Sequence, residues 1–216
     1  MSSSSARSAI IFASGMEDKT MSRHFSPDEE GTLIEYVMDS VWTVADELIV
    51  VFGKEPALST VEAIAPFGAK LITVEAGQNP MKSILEGFKS SRAEHCFLVT
   101  ERVPLLKPNV TLSLFENALG YDLAIPKWKS GKLEPLLAVY RKNALLKLAS
   151  TLNRTLGNNV REEMLRMAEQ LFAVKYVSVE GDLMEIDPEL DSFFGVDEEE
   201  SLAVARAKVS VKGKKP

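Results

Sequence analysis

The chain is poor in the side chains from which covalent and metal sites are most often built. Among its 216 residues there is one cysteine, Cys96, so neither an intrachain disulfide nor a cysteine zinc cluster can form. Cys96 lies inside an apolar run, which suits a reduced, buried packing role better than a nucleophilic one. The two histidines are His24 and His95, and His95 flanks an expected strand rather than standing ready for proton transfer. Cationic excess is missing too: with 25 Lys and Arg against 31 Asp and Glu the net charge is -6. That balance argues against a coat for nucleic acid, which needs a clustered basic face, but one pocket in an acidic protein can still hold a nucleotide. The apolar stretch at residues 9–13 is too short for a signal core or a membrane span, so it is not expected to act as a targeting segment. These absences lead to the expectation of a cytoplasmic protein with neither a membrane nor a nucleic-acid partner, and no internal repeat is visible.

What is present suits a single domain with one core: 45% hydrophobic and 26% charged residues. Residues 1–8 read as a disordered lead-in, 9–208 as the domain, and 209–216 as a solvated basic tail. Ala9-Ile10-Ile11-Phe12-Ala13 reads as a first strand. Thr32 and Glu35 have capping-box spacing, and Leu33, Ile34, Val37, Val41 and Val44 recur at helical intervals, so a helix joins it to a second strand over residues 47–52. A second capping-box pattern, Ser59 to Glu62, opens a short helix closed by Pro66 and Gly68, and residues 70–74 form strand three. Asn79 and Pro80 have the order of an N-cap and a first-turn proline, with Ile84, Leu85 and Phe88 on one face of the helix they begin.

The run from His95 to Thr100, ended by Glu101, Arg102 and Pro104, reads as a buried central strand. A helix is expected over residues 108–119 and a strand over 122–126. Alternating strands and helices imply an α/β fold in three layers, with a mostly parallel sheet flanked by helices and right-handed crossovers. Ligands in such sheets gather at the carboxyl ends of the strands, which here means near Arg102. Further on, residues 127–132 read as a hairpin tip and 136–140 as its returning strand. Helices follow over 144–156 and 160–172, the latter begun by Asn158 and Asn159, then a strand over 174–179 and a terminal helix over 201–208.

Several stretches resemble, in order and spacing, the molybdenum cofactor guanylyltransferases and the wider nucleotidyltransferases. Phe12-Ala13-Ser14-Gly15 is similar to the opening of the family's glycine-rich phosphate loop, and Asn79-Pro80-Met81-Lys82-Ser83-Ile84 to a conserved helix start. Glu101-Arg102-Val103-Pro104 stands where the family has Cys-Asp-Met-Pro. Glu134-Pro135-Leu136-Leu137-Ala138-Val139-Tyr140 resembles its Glu-Pro-Leu-x-Ala-Val-Tyr, and the segment from Phe193 to Leu202 its closing motif. The likeness runs from about Ile10 to about Ala205.

The resemblance implies a Rossmann-like nucleotide-diphospho-sugar transferase fold and transfer of GMP from GTP to molybdopterin with Mg²⁺ as cofactor. It places Phe12, Ala13, Ser14 and Gly15 against the nucleotide, with Lys19, on the position of the loop arginine, as a charge-compensating catalytic cation and His24 on the position of the loop lysine. Arg102, at the position of the metal-binding aspartate, becomes a candidate catalytic cation, Glu134 a candidate acceptor contact and Asp197 a candidate metal ligand. Met21, Arg23 and His24 depart from the loop pattern, and a guanidinium offers donors only and cannot ligate Mg²⁺. Two other readings therefore stay open: a catalytically impaired relative that binds nucleotide or regulates, and a transferase for another phosphorylated acceptor.

Individual residues carry alternatives as well. Asp197 also suits a helix N-cap, since it heads a run of acids before an apolar helix. Arg102 suits either a phosphate ligand or a surface residue, Glu134 either an acceptor contact or a turn residue before Pro135. Trp128 suits either a stacking platform for a pterin or base, or a cover over the neighbouring sheet.

Overall fold

The computed structural model describes residues 6–13, 31–53, 55–73, 79–152, 157 and 159–212. Among them, seven strands form one sheet in the order β3-β2-β1-β4-β6-β5-β7. The strands are β1 (Arg7–Ala13), β2 (Glu47–Phe52), β3 (Lys70–Thr73), β4 (His95–Thr100), β5 (Leu123–Lys127), β6 (Leu137–Arg141) and β7 (Val174–Ser178). The helices are α1 (Leu33–Trp42), α2 (Leu58–Ile64), α3 (Pro80–Ser90), α4 (Pro108–Asn117), α5 (Lys142–Leu152), α6 (Val160–Ala168), the single turn α7 (Met184–Ile186) and α8 (Glu199–Lys212). All pairings are parallel except those of β6, which runs antiparallel to both β4 and β5.

β1 begins at Arg7, two residues before the apolar run, because the loop ahead of β2 satisfies its polar start. The Arg7 N–H donates to the Asp46 carboxylate at 2.9 Å, and the buried Ser8 hydroxyl donates to Glu47 at 2.5 Å. β1 thus takes in Arg7 and Ser8, and α8 runs from Glu199 to Lys212, past the helix end expected at 208.

Capping chemistry sets the helix starts unevenly. Glu35 reaches back to the Thr32 N–H at 2.6 Å, the glutamate half of the expected box. Asn79 accepts from the Met81 N–H at 2.8 Å with Pro80 as first residue, worth about 1 kcal/mol to α3. The Ser59 box is a correction: α2 starts at Leu58, and the Ala57 carbonyl, already in extended geometry, takes the Thr60 and Val61 N–H groups without a side-chain cap. Gly68, at φ +61, ends the turn that follows, as expected of that glycine.

Two hydrophobic layers enclose the sheet, and β1 feeds both by alternation. Ala9, Ile11 and Ala13 join Val37, Val41 and Val110 on one face, whereas Ile10 and Phe12 join Ile84, Phe88 and Met164 on the other. Gly87 lets α3 settle against β1 and β2: a Cβ there would stand 2.7 Å from Val51 Cγ2 and 3.1 Å from Ile10 Cγ2. A smaller cluster of Leu33, Leu105, Val196, Leu202 and Ala205 seats α8 beside α1.

This order positions a site. The chain goes outward from β1 to β2 and β3, then returns to place β4 on the other side of β1, so the direction of winding reverses between them. Phe12 and Thr100 are register partners at the carboxyl ends of these two strands. That is where an open α/β sheet leaves a crevice. No helix among the described residues is long and apolar enough to cross a membrane.

Candidate functional site

A cavity of about 600 Å³ opens at that crevice. Phe12 from β1, Thr100 at the end of β4, Arg102 just beyond it and Pro80 at the head of α3 line it. So do Lys132 and Glu134 from the β5–β6 connection, Asn159 and Arg161 at the head of α6, and Phe193, Gly195 and Asp197 from the approach to α8. Three cations thus face two carboxylates, and the amino ends of two helices add positive potential.

Local structure holds each side chain. β4 ends in a turn in which the Arg102 N–H donates to the Thr100 hydroxyl at 3.2 Å and the Arg102 carbonyl accepts from the Val196 N–H at 2.7 Å. The guanidinium then reaches Asp197 at 2.5 Å. Asp197 does not cap α8 with its side chain, because the Ser201 hydroxyl takes the N–H groups of both Asp197 and Glu198, at 3.1 and 3.0 Å. Its carboxylate faces Arg102 instead.

The segment leading to Asp197 is braced from below. Asp187 and Asp191 are buried, the first bonded to the Lys107 ammonium and to the Ser192 N–H, the second bridged to Lys208 at 2.5 Å. Burial pushes the Asp187 carboxyl up, but the bonds from Lys107 and Ser192 together outweigh it and hold the group below its ordinary range. This network fixes Phe193, whose ring meets the Trp128 indole edge-on at 5.4 Å. Trp128 packs against the core rather than standing open, and its Nε1–H donates to Glu134 at 2.9 Å.

Phe12, Arg102, Glu134 and Asp197, four residues singled out in the sequence, meet on this one cavity. Ala13 is buried at the end of β1, its carbonyl accepting from the Gly53 N–H at 3.1 Å. Ser14, Gly15, Lys19 and His24 lie outside the described residues. Lys132 and Arg161 escaped sequence reasoning. Arg161 had a signal: a cation in the first turn of a capped helix opposes the helix dipole, an arrangement that costs stability and calls for an anionic partner.

Among the described residues no three His, Cys, Asp or Glu side chains are grouped to hold a metal ion. The carboxylate that the described residues bring beside Arg102 is Asp197, already paired with its guanidinium. These residues do not fit the Mg²⁺ that the resemblance implies, since a metal arriving at Asp197 would meet a fixed positive charge.

Cys96 sits in β4 with its thiol fully covered, and burial pushes it up to about 11. It is a packing residue, remote from the cavity lining.

A protein of Methanosarcina mazei named "Probable molybdenum cofactor guanylyltransferase" is 29% identical over 208 residues, covering 92% of this chain and 89% of its own. Two solved structures share the fold. Molybdopterin-guanine dinucleotide biosynthesis protein A from Archaeoglobus fulgidus has a TM-score of 0.68 at 24% identity, with 95% of this chain and 99% of that one covered. A nucleotidyl transferase from Methanothermobacter thermautotroptrophicus has a TM-score of 0.71 at 15% identity, with 96% and 99% covered. The family model for the MobA-like NTP transferase domain matches residues 13–171, from the end of β1 into the segment after α6. The chain belongs to the MobA-like NTP transferase domain family.

Proposed function

We propose that the protein transfers GMP from GTP to a molybdopterin-type acceptor, joining the two through a new phosphoanhydride. The observation that carries this reading is the cation-lined cavity at the β1–β4 switch point, in a member of this transferase family. An oxygen of the acceptor's phosphate attacks the α-phosphorus of GTP. A P–O bond forms there, and the bond from that phosphorus to the oxygen bridging to the β-phosphorus breaks, so that pyrophosphate leaves with the electron pair. A phosphate monoester has its second pKa near ~6, so at neutral pH the nucleophile is already deprotonated and no general base is required. Among the described residues no histidine lines the cavity, and that chemistry requires none. The chain must instead hold the two reactants in line and offset the charge that gathers on the departing and attacking oxygens. In this reading Arg102, just beyond β4, serves the first task, supported by its bond to Asp197 at 2.5 Å, which restrains the guanidinium.

A second reading, nucleotide binding without transfer, is favoured by the same Arg102–Asp197 pair, which takes the place of a metal-holding carboxylate. Two measurements separate the readings. Millimolar GTP should raise the melting temperature of the full chain, and a saturation of about 100 Kd would add about 2.7 kcal/mol. No shift would count against both readings. Pyrophosphate release from GTP with molybdopterin present supports transfer, and a melting shift without release supports the binder.

A further inference from the structure

The part of the cavity built by the β5–β6 connection and the head of α6 is organised around Glu134. Its carboxylate, 13% exposed, accepts from Trp128 Nε1 at 2.9 Å and Lys132 Nζ at 2.8 Å on one oxygen, and from the Arg161 guanidinium at 3.2 Å on the other. Arg161 also donates to the Leu133 carbonyl at 2.9 Å. Glu134 itself is fixed by its backbone, its N–H donating to the Pro126 carbonyl and its carbonyl accepting from the Leu137 N–H, both at 3.1 Å. Trp128 is locked by Phe193. A rigid carboxylate therefore sets the position of two flexible cations.

An ammonium has three donors and a guanidinium five, and the bonds to Glu134 and Leu133 use one and two of these. Beside them the Asn159 side chain caps α6, accepting from the Glu162 N–H at 3.3 Å, and the positive end of that helix enters the same cavity. Two cations are thus spaced across one anchored carboxylate, the arrangement that receives a compact dianion with several oxygens.

We infer that Lys132 and Arg161, positioned by Glu134, form a subsite for the phosphate monoester of the acceptor. This rests on the transferase reading above. Strand order sets the β5–β6 connection that carries Lys132 on the other side of β4 from β1 and Phe12, while Arg161 comes in from the head of α6. In-line displacement needs the attacking phosphate and the leaving pyrophosphate on opposite sides of the α-phosphorus, and an acceptor phosphate held by Lys132 and Arg161 would supply the attacking side. Glu134 is accordingly a positioning residue, acting through the cations.

The test titrates inorganic phosphate into the full chain by calorimetry, alone and with saturating GTP. Lys132→Gln and Arg161→Gln, at side chains 58% and 40% exposed, leave the fold intact. Each should weaken phosphate at least tenfold while GTP affinity stays within twofold. Glu134→Gln gives a sign. Loss of a negative charge alone would tighten phosphate binding, whereas loss of the positioning group weakens it, and Glu134→Asp should recover part of the affinity. Tighter phosphate binding in Glu134→Gln overturns the inference. So does an equal loss of GTP affinity in the two cation variants, or displacement of phosphate by GTP from the native chain. Absence of GTP binding overturns the transferase reading instead, and phosphate titration of the free chain then still decides whether this wall holds an anion.

Discussion

Arg102 and Asp197, 95 residues apart, meet at 2.5 Å and join the end of the central strand to the approach of the last helix. The contact is doubled by the backbone bond from the Val196 N–H to the Arg102 carbonyl at 2.7 Å. A cation has been built into the crevice where the family resemblance places a carboxylate.

The pair is a poor candidate for a stabilising element, because Arg102 is 35% exposed and Asp197 66%. Solvent screens it, and Arg102→Ala should cost less than about 1 kcal/mol in urea unfolding. Its contribution should appear in ligand binding, where loss of a charge-assisted hydrogen bond to phosphate is worth about tenfold in GTP affinity. Arg102→Asp is the sharper variant. It sets two carboxylates where a salt bridge stood, and the chain should then bind GTP well only when Mg²⁺ is supplied. Thermal shifts in EDTA and in Mg²⁺ read this directly: the native chain should keep its GTP shift in EDTA and Arg102→Asp should lose it. Equal Mg²⁺ dependence in both proteins would show that the native chain obtains a metal site elsewhere.

Gly87 tests the packing beneath the site. An alanine there would place its Cβ 2.7 Å from Val51 Cγ2, and a β-branched side chain in a filled sheet interior has little room to yield. Gly87→Ala should therefore cost about 1–3 kcal/mol by overpacking, against the gain that alanine usually brings to a helix. A melting curve equal to or above that of the native chain would mean that α3 can lift from β1 without penalty.

How far the sequence could be read follows from the range of the interactions involved. Local signals succeeded: Asn79 and Pro80 start α3, Glu35 closes on Thr32, and the apolar run from residues 47–52 is β2 as expected. Burial pattern placed β4 at the centre of the sheet. Boundaries moved where tertiary bonds outweighed local preference, as at Arg7, which is secured by Asp46. α6 ends at Ala168 rather than at 172 in local turn bonds, Gln170 N–H to Met167 and Leu171 N–H to Ala168. The turns from residues 179 to 193 went unforeseen because buried ion pairs to Lys107 and Lys208 hold them, and such partners are 80 and 17 residues away. In the site, Phe12, Arg102, Glu134 and Asp197 were visible through motif likeness, while Lys132 and Arg161 look like ordinary surface cations until the fold sets both on one carboxylate.

Asp187 gives the last prediction, on pH. Its carboxyl is buried, and with Lys107 and Ser192 as donors it is held below its ordinary value of 3.8. A depressed folded pKa means that the unfolded chain binds the proton first, so the stabilisation is complete above pH of about 4 and is lost as pH falls through the lower folded value. Asp187→Asn keeps the shape but removes the charge, leaving the Lys107 ammonium with only the longer contact to Asp191 at 3.7 Å. At pH 7 the variant should be about 2 kcal/mol less stable, the cost of breaking a largely buried pair from one side. Below pH 4 the difference should narrow as the unfolded native chain takes up a proton that the folded carboxylate accepts only at lower pH. Urea unfolding at pH 7 and at pH 3 checks both halves, and a constant gap at the two pH values would mean that the side chain contributes by shape and not by charge.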